Sequence, residues 1–182
     1  MTDFAEELFI TIARKLRKHR SFWMWPIKSV MERGAVSDLL DSMHLDGDTR
    51  YWNPRSTGKD WPDCEVDDES GNVVAAEVTE LVDEEAVRRA QRGEMVFSYW
   101  KDEQIVEQVS RILVHKDAKS YHGGLYGKVI LVIHTDEFTG SRLFPVVRGA
   151  RFAGLQNIDE AFIIVSYDPY TGRYPWCEIP LN

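Results

Sequence analysis

The chain contains little cysteine and no excess of positive charge. Its 182 residues include only two cysteines, Cys64 and Cys177, which lie far apart in the sequence. Without C-x-x-C spacing they form neither a disulfide framework nor a zinc ligand set, so free or buried thiols in a reducing compartment are expected. The net charge is −8 and the pI is about 5.1. This acidic balance argues against nucleic-acid binding over the whole surface and leaves room for a local basic patch.

The chain also lacks long apolar runs and several familiar catalytic motifs. No run approaches the roughly 20 apolar residues that a membrane-spanning helix needs. The first twenty residues place acids before apolar residues and bases after them, which is the reverse of a secretory signal, so a cytoplasmic protein is expected. No P-loop, GxGxxG or Gly-x-Ser-x-Gly pattern is present, which argues against nucleotide hydrolysis and dinucleotide redox chemistry.

The residues that are present predict one domain over 1–182. Hydrophobic residues make up 43% of the chain, enough for a single core. Residues 1–45 are predicted as a helical N-terminal part, with one helix over about 2–20 and a second over about 27–43. A long helix is expected to begin near Glu84 or Ser98 and to end at Lys119, with Gly93 as a point of interruption.

Residues 48–182 are predicted to contain the sheet. A short strand is expected around Arg50–Trp52, followed by a hairpin with strands 63–66 and 73–80. The runs "KVILVIHTDE" and "AFIIVSYD" are typical of strands buried on both faces, and a short helix is expected between them. The C-terminal "RYPWCEIPL" is predicted as an edge strand or extended tail. Together these elements predict an α/β protein with a mixed sheet flanked by helices.

The predicted hairpin carries two acids where a buried strand would favour aliphatic residues. If Val66 pairs with Val74, Asp63 lies directly opposite Glu77. On the period-two rule Thr79 then shares the face of Glu77, and Val78 points to the other face. A register shifted by one residue would place the two acids on opposite faces.

Two opposed carboxylates need a neutralising partner. A divalent cation such as Mg²⁺ suits them, because Mg²⁺ binds carboxylate and carbonyl oxygens and keeps waters for substrate phosphates. The alternative is that Asp63 sits in a Pro-Asp turn at the mouth of the strand and that Glu77 faces solvent. Spacing alone leaves both interpretations open.

The spacing of Pro62-Asp63 and Glu77-Val78-Thr79 resembles the PD-(D/E)xK motif of restriction-endonuclease-like nucleases. The order of predicted elements resembles that of the same superfamily over most of the chain. The resemblance implies a restriction-endonuclease-like α/β core and Mg²⁺- or Mn²⁺-dependent cleavage of nucleic acid, DNA more than RNA. It also implies that Asp63, Glu77 and the carbonyl of Val78 bind the metal. Glu7, or else Glu6, matches the acid that many members place on the first helix.

The chain departs from this motif at Thr79, where the family normally has a lysine. A hydroxyl can position a water but cannot supply a positive charge. Some members carry a substitute on a nearby helix, and Lys101 and Gln104 at the start of the long helix are the candidates, with Lys59 as a further one. The alternative is that Lys101 and Gln104 lie on an exposed helical face.

Two other functional classes remain open. The missing lysine and the acidic charge fit a catalytically inactive nuclease fold that acts as a binding or interaction module. A small α/β domain unrelated to nucleases, with both acids on its surface, is the third possibility. The sequence leaves the oligomeric state open, including a homo-oligomer.

Histidines and aromatic residues give weaker signals. The spacing of His115, His122 and His134 fits no helical metal-ligand pair, and His134 at a strand end could line a site or be structural. Five aromatic residues in the first third could pack in the core or stack on unpaired bases: Trp23, Trp25, Tyr51, Trp52 and Trp61.

Overall fold

The computed structural model describes residues 28–58, 61–92, 94, 100–119, 126–137 and 140–182. The helices in these ranges are α1 (Lys28–Leu45), α2 (Glu84–Gln91), α3 (Asp102–Asp117) and α4 (Leu143–Gly149), and a 3-10 turn, Gly140–Arg142, precedes α4. The strands are β1 (Tyr51–Ser56), β2 (Cys64–Asp68), β3 (Val73–Glu80), β4 (Val129–Thr135), β5 (Glu160–Val165) and β6 (Trp176–Glu178). The predicted helix over 2–20, with Glu6 and Glu7, lies outside the described residues.

The six strands form one mixed sheet in the order β1-β2-β3-β4-β5-β6. Strands β3, β4 and β5 are parallel to one another, and the outer neighbours β2 and β6 pair antiparallel to them. This confirms the predicted α/β class with a mixed, helix-flanked sheet. The C-terminal segment forms the edge strand β6, as expected from its prolines.

Helices cover both faces of the sheet because each presents an apolar stripe. Helix α1 packs its residues Val36, Leu39, Leu40 and Met43, which follow helical spacing, against one face. On the other face α3 and α4 pack against the alternate side chains of β3, β4 and β5. No helix in the described ranges has both the length and the apolar character that crossing a bilayer requires.

One predicted boundary was wrong, and one that the sequence left open is now settled. The helix that ends near Lys119 begins at Asp102, closer to the Ser98 alternative, and α2 is a separate helix that precedes Gly93. The strand expected at Arg50–Trp52 begins at Tyr51 and continues to Ser56. Its pairing with β2 shifts register between Trp52 and Arg55 and continues at Arg55 and Ser56.

The turn between β2 and β3 fixes their register. The Asp68 carboxylate accepts hydrogen bonds from the backbone N–H groups of Ser70 (2.9 Å) and Asn72 (2.8 Å). Gly71 has φ +79°, a conformation that costs glycine little. Because the turn holds the two strands in one alignment, it also determines which side chains of the hairpin face each other.

We predict that Asp38→Asn stabilises the protein at neutral pH. Burial, with the nearby charge of Asp41, raises the pKa of Asp38 from 3.8 to about 6, against the hydrogen bond from Tyr174. The folded state therefore binds the proton of the Asp38 carboxyl group more tightly than the unfolded chain does. The stability that the proton contributes is present below the unfolded pKa and is lost as pH rises through about 6.

Because Asp38 is only half-buried, the gain at neutral pH should be about 1 kcal/mol, well below the full linkage value. Urea denaturation near neutral pH and near pH 4 measures it. An equal difference between variant and wild type at both pH values would contradict the assignment.

Candidate functional site

The β2–β3 register brings Asp63 and Glu77 together. Val66 pairs with Val74 and Cys64 with Ala76, so the predicted register is confirmed. Extended by one residue beyond the end of β2, this register sets Asp63 opposite Glu77. Asp63 is 8% exposed and Glu77 is 5% exposed. This burial excludes the interpretations in which Glu77 faces solvent or both acids lie on the surface.

Asp63 is held at the mouth of β2 by the backbone of β3. Its Oδ2 atom accepts a hydrogen bond of 2.8 Å from the N–H of Val78. The Nζ atom of Lys28 on α1 lies 3.7 Å from its Oδ1 atom, and the same ammonium lies 3.0 Å from Glu32. Burial raises the pKa of Asp63, the Val78 N–H lowers it, and the neighbouring Glu32 raises it further.

Glu77 lies on the α3 face of the sheet and contacts a lysine from that helix. Ala75, two residues earlier on β3, belongs to the core that α3 covers. The Nζ atom of Lys116 donates to Glu77 Oε1 at 2.6 Å and lies 3.4 Å from the carbonyl oxygen of Val78. Lys119 lies farther away, at 3.7 Å from the same carboxylate oxygen. The Lys116 ammonium therefore contacts two of the three oxygen-bearing groups that the sequence predicted as metal ligands.

Helix α3 supplies the cation from a position that differs from the expected one. Lys101 and Gln104 lie at the N-terminal end of α3, where the backbone N–H of Lys101 donates to Gln104 Oε1 at 2.9 Å. Gln104 is twelve residues from Lys116, which corresponds to roughly 18 Å along a helix. Helix α3 therefore does not bring Lys101 or Gln104 to the carboxylate pair. Lys59 lies outside the described residues.

Sequence reasoning missed Lys116 and Glu32, although both leave a signal. Lys116 continues the inward stripe of Ile105, Val109 and Ile112 at helical spacing. Glu32 similarly stands in line with the buried Val36 of α1, and its exposed fraction is 3%. A charged residue inside an apolar stripe requires a partner, and both residues find theirs at this site.

The other candidates contribute less. Thr79 is half-buried and by strand alternation lies on the face of Glu77. His134 is the penultimate residue of β4, and its Nε2 atom lies 3.4 Å from Ser166 Oγ and 3.9 Å from Asp136 Oδ1. Burial lowers the pKa of His134, although Asp136 opposes the shift, so this ring is neutral near pH 7. His122 lies outside the described residues.

The donor set fits a hard divalent cation. Two carboxylates and a carbonyl are the oxygen ligands that Mg²⁺ accepts, and the metal usually takes only one or two carboxylates from the protein. Among the described residues, no three His, Cys, Asp or Glu side chains are grouped to hold a metal ion. A metal here would thus depend on Asp63, Glu77, the Val78 carbonyl and oxygens from water or substrate. The ammonium groups near Asp63 and Glu77 indicate that the site favours positive charge.

Comparison of the chain with protein-family models, characterised proteins and solved structures gives no match. The functional assignment therefore depends on the residues of this site and on their geometry.

We predict that Lys116→Met destabilises the protein by about 2 kcal/mol, because it leaves the buried Glu77 without its closest cation. Lys119→Met is the matched control. Its side chain is 49% exposed and lies 3.7 Å from Glu77, so the expected cost is under about 0.5 kcal/mol.

The double variant Glu77→Gln/Lys116→Met should recover part of the loss, which a double-mutant cycle in urea measures. Additive effects of the two substitutions would show that Glu77 and Lys116 do not interact.

Proposed function

We propose that this protein is a metal-dependent nuclease of the restriction-endonuclease-like class, which cleaves phosphodiesters of nucleic acid at the Asp63–Glu77 site. The observation that carries the proposal is the buried pair of opposed acids, with a lysine ammonium 2.6 Å from Glu77. Thr79 stands where the motif normally has a lysine. Lys116 of α3 instead places a positive charge beside the Glu77 carboxylate. We propose DNA rather than RNA as the substrate.

Each residue has a distinct task in this proposal. Asp63, Glu77 and the Val78 carbonyl would hold Mg²⁺, or Mn²⁺ in its place. When bound, such a metal would supply polarisation of the phosphodiester and a lower pKa of an attacking water. Asp63 is positioned for this task by its hydrogen bond from the Val78 N–H. The Lys116 ammonium stabilises negative charge on the reacting phosphate, and the Thr79 hydroxyl orients the attacking water.

We propose that Glu32 of α1 takes the place that the resemblance gave to Glu7. Glu32 is buried, and its charge raises the pKa of Asp63. Lys28, which lies 3.0 Å from Glu32 and 3.7 Å from Asp63, compensates the charge of both acids.

One observation favours a second function, that of an inactive nuclease fold used for binding. Lys28 and Lys116 already place positive charge beside both acids. A site neutralised in this way is stable without a metal, so the fold could persist after catalysis was lost.

We predict Mg²⁺- or Mn²⁺-dependent cleavage of labelled single-stranded or duplex DNA, with RNA as the comparison substrate. Glu77→Gln and Asp63→Asn should each lower the rate by at least about 100-fold, since each removes a charged ligand of the metal. Asp67→Asn is the matched control. It also removes a carboxylate from this hairpin, but that carboxylate pairs with Arg55. Residual cleavage that is equal in Glu77→Gln and wild type would refute the role of Glu77.

Calorimetry with Mn²⁺ separates the two functions. The nuclease proposal predicts binding by the wild-type protein at millimolar metal or below, and loss of this binding in Glu77→Gln. If Lys116 instead replaces a lost metal, the wild type should bind no Mn²⁺. The Lys116→Met variant should then bind Mn²⁺ more tightly than the wild type, because the oxygen atoms of Glu77 and Val78 that Lys116 contacts become available.

A further inference from the structure

Charge is divided unequally between the two sides of the candidate site. On the α1 side two buried acids share one lysine, because the Lys28 ammonium lies 3.0 Å from Glu32 and 3.7 Å from Asp63. Within the described ranges, no second basic side chain forms an ion pair with either acid. When both acids are ionised, the α1 side therefore keeps a surplus of negative charge, which suits a bound metal cation.

On the α3 side one acid has two lysines. The Nζ atoms of Lys116 and Lys119 lie 2.6 Å and 3.7 Å from the same oxygen of Glu77. The side chain of Lys116 is 12% exposed, so it compensates the buried carboxylate, whereas that of Lys119 is 49% exposed. The α3 side consequently has one formal positive charge more than it needs, and Lys119 presents that charge to solvent.

Lys119 can turn from Glu77 to a ligand at little cost. A half-exposed ion pair contributes little to stability, and the carboxylate keeps its closer lysine. The carboxylate of Asp117, the nearest acid in the sequence, already accepts hydrogen bonds from the backbone N–H groups of Gln156 (2.9 Å) and Asn157 (2.7 Å). The Lys119 ammonium is therefore available to an anion that lies beside Glu77.

We infer that Lys119 binds the phosphate next to the scissile phosphate, so that the substrate strand leaves the site past the C-terminal end of α3. A strand carries one negative charge per nucleotide, and a lysine binds a phosphate as a point charge. The acid-rich α1 side repels further phosphates. The substrate is then a strand that continues beyond the cleaved bond. This role of Lys119 rests on the proposed nuclease function.

Lys119 should affect substrate binding more than the chemical step, because it contacts a phosphate that does not react. With Mn²⁺ and a labelled single-stranded DNA, Lys119→Met should raise KM by roughly fivefold and leave kcat within about twofold of wild type. Lys119→Arg should retain the wild-type KM, since it keeps the charge. A dinucleoside monophosphate has no phosphate besides the scissile one, so wild type and Lys119→Met should cleave it equally.

Binding is also measured apart from cleavage. A fluorescent single-stranded DNA of about 12 nucleotides is titrated with the full chain in Ca²⁺, and its anisotropy is recorded at several salt concentrations. In Lys119→Met the slope of log affinity against log salt should fall in magnitude by about 0.7, because one phosphate contact is lost. Arg111→Gln is the matched control, since it removes an exposed charge of the same helix that lies 3.6 Å from Glu107. It should leave affinity within about twofold of wild type.

Equal KM and equal affinity of Lys119→Met and wild type would overturn the inference, even where Glu77-dependent cleavage is found. A KM effect that persists with the dinucleoside monophosphate would also overturn it, because Lys119 would then act on the scissile phosphate. Lys119-dependent binding without any cleavage would retain the phosphate site and refute the nuclease function. Absence of both binding and cleavage would refute both.

Discussion

The structure depends on an electrostatic problem that the β2–β3 hairpin creates. Its register sets two acids opposite each other, and both are less than one-tenth exposed. Two buried like charges on neighbouring strands are unfavourable unless positive charge or protons neutralise them. The surrounding helices answer this requirement, since Lys28 comes from α1 and Lys116 from α3.

The two lysines come from helices that pack on opposite faces of the sheet. Helix α1 covers one face and α3 the other, and each carries a charged residue in line with its apolar stripe, Glu32 on α1 and Lys116 on α3. The site is consequently tied to the packing of both layers, so a shift of either helix would leave a buried carboxylate without its cation. This arrangement also concentrates oxygen atoms and positive charge at one place, which is what the proposed phosphodiester cleavage would need.

Much of the fold could be predicted because strong local patterns coincide with it. The β-branched runs became β4 and β5, and the turn chemistry around Asp68 and Gly71 produced the predicted hairpin register. The pairing of Asp63 with Glu77 followed from that register. The length of β1 was missed, because its pairing with the distant strand β2 decides it.

The cation of the site could not be located in the same way. Period-two reasoning places residues within a hairpin, but it does not show which turn of a later helix passes over Glu77. The sequence favours Lys101 and Gln104 because they lie early in the long helix, whereas the contact comes from Lys116, near the other end of α3. The buried Glu32 was missed for the same reason, since its partner Asp63 lies on another element.

The central claim is that Asp63, Glu77 and the Val78 carbonyl form a metal site beside Lys116. A crystal soaked with Mn²⁺ tests it directly through anomalous scattering. The account predicts an anomalous peak about 2.0–2.3 Å from oxygens of all three groups, with the Lys116 ammonium moved away from Glu77. A map without a peak at this position, in which Lys116 still contacts Glu77, would contradict it.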